Sequence, residues 1–244
     1  MGTEDLPIGR DPKPKSKFEG VRLLKDIKPI EIELGEPPEE DEEAEYDEEK
    51  EPIWIDFEAG PDPEDDAAKH SGPNTYLISP ITEKDLFSDK NINCTAVLGI
   101  GQDKESGKAV AFVSHQNPAY FLNEQGRKKF TNDLVSVMKE LKDQSALNTI
   151  EVVILGGKYD SQNASAKDST EYKESVVMLS ELIRQVFGYD PIVAAPKLSE
   201  GGTDIQVATQ ERKVWIMQDG EPDSSASPYL AHQLEEVAST WQRD

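Results

Sequence analysis

Residues 36–66 hold 17 Asp or Glu and one basic residue, Lys50. No core can be built from such a stretch, because its few apolar side chains cannot offset the entropy of an ordered backbone or the repulsion of so many like charges. It therefore divides the chain. The segment accounts for −16 of the formal net charge of −23, which leaves −7 for everything else. Residues 1–30 carry seven Lys or Arg against five acids, and residues 31–73 are acidic and proline-rich. Residues 1–73 thus read as a disordered acidic N-terminal extension, and folding is expected only beyond it. One apolar pulse interrupts the extension, Ile53-Trp54-Ile55-Asp56-Phe57. Trp54 and Phe57 read either as anchors that dock in a partner's groove or on the chain's own domain, or as incidental aromatics in a solvated tail.

The charge balance also bounds the partners. A negative surface repels nucleic-acid phosphates and anionic lipid, so neither is expected to bind, whereas a basic protein partner fits. Cys94 is the one cysteine. It cannot form an internal disulfide or a Cys-rich zinc site, which favours a reducing compartment, and a cytoplasmic location is expected. Met1-Gly2-Thr3-Glu4-Asp5-Leu6 lacks the basic start and apolar core of a signal peptide, and no apolar run approaches the ~20 residues of a membrane span.

From Asn74 the pattern becomes that of a folded domain, expected over 74–219, with 220–244 as linker and C-terminal helix. Thr75–Ser79 is a short apolar run. Thr95–Gly101 and Ala109–Ser114 are strand-length runs joined by a polar, glycine-bearing loop, which predicts a hairpin. Phe130, Leu134, Val137, Met138 and Leu141 share one face of a helix. Ile150–Leu155 reads as a buried strand ended by Gly156-Gly157, a turn requiring positive φ. Val176, Val177, Leu179, Leu182, Ile183 and Val186 mark a second helix, capped by Gly188. Ile192–Ala195, Asp204–Ala208 and Lys213–Met217 read as three more strands, and Leu230, Leu234, Val237 and Trp241 as a closing helix. The order predicts an α/β (α+β) layered sandwich of mixed sheet with two or three helices. No repeat of solenoid length is present.

Cys94 opens one strand-like run and His115, 21 positions later, closes its neighbour. An imidazole beside a thiol can accept the thiol proton and leave a nucleophilic thiolate, so this pair is the candidate for covalent chemistry. The alternative is an inert buried thiol and a histidine that caps a strand end. Gly99-Ile100-Gly101 lacks the third glycine of a dinucleotide loop, and His70 and His232 have no partners at metal-ligand spacing. No cofactor or metal is therefore expected. Tyr120-Phe121-Leu122 reads as core or as the floor of a pocket.

These features together resemble the chemoreceptor glutamine deamidase (CheD-like) family, whose Cys-His fold is shared with the catalytic domain of cytotoxic necrotizing factors. The resemblance runs over about residues 75–217: a cysteine opening a strand, a hairpin to a run ending in histidine, a helix, a strand closed by Gly-Gly, a second helix, and Gly201-Gly202 before a last hairpin. It implies Cys94 as nucleophile, His115 as general base and then acid, and Ser88, in the place of a threonine six before the cysteine, as third member. Asn93, Thr95, Gln116, Gly156 and Gly157 are then candidates for the substrate pocket. The chain departs from the pattern at Asn91-Ile92-Asn93, where the family has Leu-Gly-Ser, and at Gln116-Asn117-Pro118, where it has Leu-Pro. The implied activity is deamidation of a protein glutamine through a thioester. The alternative is a non-catalytic module of the same fold whose acidic tail engages a basic partner.

Overall fold

The computed structural model describes residues 28–34, 37, 52–55, 76–88, 94–118, 122, 124–157, 167–194 and 203–218. Within them the elements are β1 (Glu31–Leu34), β2 (Ile53–Ile55), β3 (Tyr76–Ile78), β4 (Leu86–Ser88), β5 (Thr95–Gln102), β6 (Ala109–Gln116), α1 (Glu124–Gln144), β7 (Glu151–Gly156), α2 (Lys167–Phe187), β8 (Ile192–Ala194), β9 (Thr203–Ala208) and β10 (Lys213–Gln218). None of the described helices is long and apolar enough to cross a membrane.

The strands form two mixed sheets, β3-β6-β5-β7-β8 and β1-β10-β9-β4-β2. In the first sheet, successive residues of each strand point to opposite sides, and both sides are apolar. Val97, Phe112, Val152 and Ile154 pack on α1 and α2 through Phe130, Leu134, Leu141, Leu179 and Ile183. Ala96, Leu98, Ile100, Val113, Val153 and Leu155 pack on Leu86, Ile205, Val207, Val214 and Ile216 of the second sheet. The architecture is helices, sheet, sheet, with a core in each of the two gaps. At roughly 1.5–3 kcal/mol for each large aliphatic side chain taken from water, these gaps dominate the folding free energy.

The glycines of β5 fit this packing. A Cβ on Gly99 would fall 2.4 Å from the Phe112 ring, and one on Gly101 2.2 Å from Ser145 Oγ. Close packing against the neighbouring strand and the end of α1 accounts for both. Gly188, at φ 86°, ends α2 with its N–H donating to Arg184 O at 2.8 Å, as the capping pattern predicts.

The expected strands and both expected central helices are present, and three strands were not foreseen. β4 carries Ser88 and pairs with both β9 and β2. β1 and β2 correct the reading of residues 1–73 as wholly outside the fold. β1 adds parallel to β10, with Glu31 N–H donating to Arg212 O and Ile30 N–H to Glu151 Oε2 at 2.7 Å. Buried Arg212 holds the same Glu151 carboxylate at 3.1 Å. β2 adds parallel to β4, and Ile55 is buried. The physical reason is that an edge strand needs only alternate apolar residues, here Ile30, Ile32, Ile53 and Ile55, because the sheet it joins is already built. The rest of 1–73, and the closing helix expected around Leu230–Trp241, lie outside the described residues.

Candidate functional site

One end of the two-sheet sandwich collects the chemistry. β4 and β6 finish there at Ser88 and Gln116, β7 finishes at Gly156, and β5 and β9 begin there with Thr95 and Thr203. Register sets the facing of each side chain. Ala96 pairs with His115, and both point into the gap between the sheets. Cys94 directly precedes β5, two residues before Ala96 in the chain, and so sits at this same end of the sandwich. Ser88 follows Leu86 on the inward face of the opposing sheet.

The two sheets meet here in a hydrogen bond. Ser88 Oγ and His115 Nδ1 are 3.2 Å apart, and each residue is only 1% exposed. A buried hydroxyl on Nδ1 orients the imidazole ring, and in the tautomer whose Nδ1–H donates to Ser88 Oγ the lone pair is on Nε2. Cys94 is half-buried, and burial pushes its thiol up to about 12. No hydrogen bond to the thiol forms among the described residues. Burial thus favours the neutral thiol over the thiolate at neutral pH. A thiol of this kind acts as a nucleophile only when its proton leaves as the attack occurs, with His115 as acceptor.

Other candidate residues lie on the opposite side of the first sheet, facing the helices. Gln116 donates from Nε2 to Thr95 Oγ1 at 3.1 Å, and both side chains are fully buried. Thr95 pairs with Gly156. Gly156 and Gly157 have φ of 72° and 88°, the left-handed turn that the Gly-Gly pattern predicts. A Cβ on Gly157 would also fall 2.4 Å from the Tyr172 ring and 3.1 Å from Thr95 Cγ2. This second glycine lets α2 close over the strand ends. Geometry therefore places Ser88 and His115 between the sheets, and Thr95, Gln116, Gly156 and Gly157 beneath the helices, with Cys94 just before β5 at the same end of the sandwich. Trp54 belongs to neither group, since it lies on the outer face of the second sheet against Phe87, with ring centroids 4.3 Å apart. Asn93 and Phe57 are outside the described residues.

Thr203 also lies at this end of the sandwich. It opens β9 on the same inward face as Ile205, the residue paired with Ser88, and is 1% exposed. Its place directly after Gly201-Gly202 is its signal in the sequence. At the far end of the sandwich, an open groove of about 880 Å³ lies between α1 and the β5–β6 hairpin, lined by Glu83, Asp103, Glu140 and Asp143 against Lys104 and Lys139. It is remote from Cys94. Among the described residues no three His, Cys, Asp or Glu side chains converge as metal ligands. Comparison with known proteins finds no matching protein-family model and no matching curated protein.

Proposed function

We propose that this chain is a Cys-His amidohydrolase that deamidates a protein glutamine, with Cys94 as nucleophile, His115 as base and acid, and Ser88 as the group that orients His115. The observation that carries this reading is the Ser88–His115 hydrogen bond at 3.2 Å, which joins residues 27 apart in the chain across the sheet–sheet gap, at the end of the sandwich where Cys94 precedes β5. A nucleophile, a base and a group holding the far nitrogen of that base form the arrangement covalent acyl chemistry requires.

His115 Nε2 takes the Cys94 proton as sulfur attacks the carboxamide carbon. The tetrahedral oxyanion collapses, His115 returns the proton to nitrogen, and ammonia departs from the Cys94 thioester. Water then gives a proton to His115 and attacks the thioester carbon. Sulfur leaves as the thiol, and the substrate carries a carboxylate in place of its amide.

Ammonia release from glutamine-bearing proteins, with the product read by mass spectrometry, tests the proposal. Cys94→Ser and His115→Ala should each abolish release, and Ser88→Ala should slow it by roughly 10- to 100-fold through loss of ring orientation. Release by Cys94→Ser equal to that of the unaltered chain overturns the proposal. The raised thiol favours a second reading, a module of this fold in which Cys94 is structural and the chain acts by binding a basic partner. That reading stands if no variant and no substrate gives ammonia.

A further inference from the structure

The outer face of the second sheet carries a row of side chains at one register level. Glu33 pairs with Trp215, Trp215 with Gln206, Gln206 with Phe87, and Phe87 with Trp54. Their chain neighbours Ile32, Val214, Ile216, Ile205, Val207 and Leu86 all face the other sheet, so the row points outward. It crosses five strands, a width of about 19 Å at the usual strand spacing. The two ends of the row differ. Trp215 is 6% exposed, and Lys213 Nζ stands 4.9 Å over its ring while pairing with Glu33 at 2.8 Å. Trp54, stacked on Phe87, is 61% exposed, the most exposed aromatic residue among those described. At one end an aromatic ring and a carboxylate thus hold an ammonium from this chain. At the other, an open aromatic pair is flanked in sequence by Glu48, Glu49, Glu51, Asp56 and Glu58.

We infer that this aromatic row is a docking face for a lysine- and arginine-rich segment of a partner protein, with one cation seated on Trp54 and Phe87 as Lys213 is seated on Trp215. Charge complementarity selects this occupant: the residues that flank Trp54 in the chain are acidic, and the molecule as a whole carries −23. A cation over an aromatic face gains from the ring quadrupole, and the negative net charge of the chain steers the encounter with a basic segment. The inference is independent of the thiol chemistry, because the row lies on the far side of the second sheet from Cys94.

The full chain is titrated at low salt with a peptide that alternates glycine with lysine and arginine, followed by tryptophan emission and calorimetry. The peptide should bind and perturb the emission, and the same peptide with glutamine at every basic position should not bind. Trp54→Ala should weaken binding about fivefold or more, and Trp54→Phe should recover part of the loss. Cys94→Ser should bind like the unaltered chain, which separates failure of this inference from failure of the deamidase proposal. Equal affinity of Trp54→Ala and the unaltered chain would show attraction by acidic residues alone and overturn the inference. Absence of binding by the unaltered chain, or equal binding of the glutamine peptide, overturns it as well.

Discussion

β5 and β6, at the middle of the first sheet, are covered by helices on one side and by a second sheet on the other, whereas β1 and β2 cover the edges of a sheet whose outer face has no helix among the described residues on it. The first pair consists of eight-residue strands that are almost wholly buried; the second consists of strands of four and three residues, with buried or half-buried isoleucines set between exposed Glu33 or Trp54 and their neighbours. Coverage on both faces demands a continuous apolar run, which is legible in a chain by itself. An edge strand buried on one face needs only every second residue, and its meaning depends on the neighbour it finds. The candidate site lies where the two regimes meet, with Cys94 and His115 at the ends of strands covered on both faces and Ser88 reaching them from the second sheet.

The largest expected effect tests how closed that junction is. With a thiol near 12 against about 8.5 for an open cysteine, Cys94 should react with iodoacetamide at pH 8 roughly 10³-fold more slowly than a free thiol, and its rate should keep rising with pH beyond 9. Because the folded pKa lies above the unfolded one, the thiol's contribution to stability is present below about pH 8.5 and is lost as pH rises toward 12. A labelling rate that levels off near pH 7 would show that His115 already holds the proton.

Removal of residues 1–55 should come next. Exposure of the apolar surface now covered by Ile30, Ile32, Ile53 and Ile55, with loss of their burial, should lower stability by about 4 kcal/mol in urea unfolding. An unchanged unfolding midpoint would show that neither edge strand contributes to the fold. Leu98→Ala, at a fully buried position between the sheets, should cost about 3 kcal/mol, while Ile32→Ala at the half-buried edge should cost about 1. Equal costs would remove the distinction between the doubly covered sheet and its neighbour. The smallest effect belongs to Trp54→Ala, which should change stability by less than about 1 kcal/mol because most of the ring is already in water.

Much of the first sheet was legible for this reason. Val97, Leu98, Ile100, Val152, Val153, Ile154 and Leu155 form apolar runs that only a doubly covered strand explains, and the helices that cover them show the matching stripe. The Gly156-Gly157 pair predicts a positive-φ turn and adopts one. β4 was not legible, since Leu86-Phe87-Ser88 is too short and too mixed to stand apart from its polar flanks. β1 and β2 were hidden because the charge of the acidic extension outweighed four isoleucines in any average over it.

The chain by itself therefore determined the layer of helices, the strands covered on both faces, and the presence of one thiol and one histidine at neighbouring strand ends, because periodicity and residue chemistry are local. Tertiary structure alone decided that Ser88 meets His115, that Thr95 and Gln116 face away from His115, and that Trp54 and Trp215 lie in one row. Those outcomes depend on strand register and on which strands become neighbours. Both are set by long-range pairing, in which a shift of one residue would turn every side chain to the opposite face.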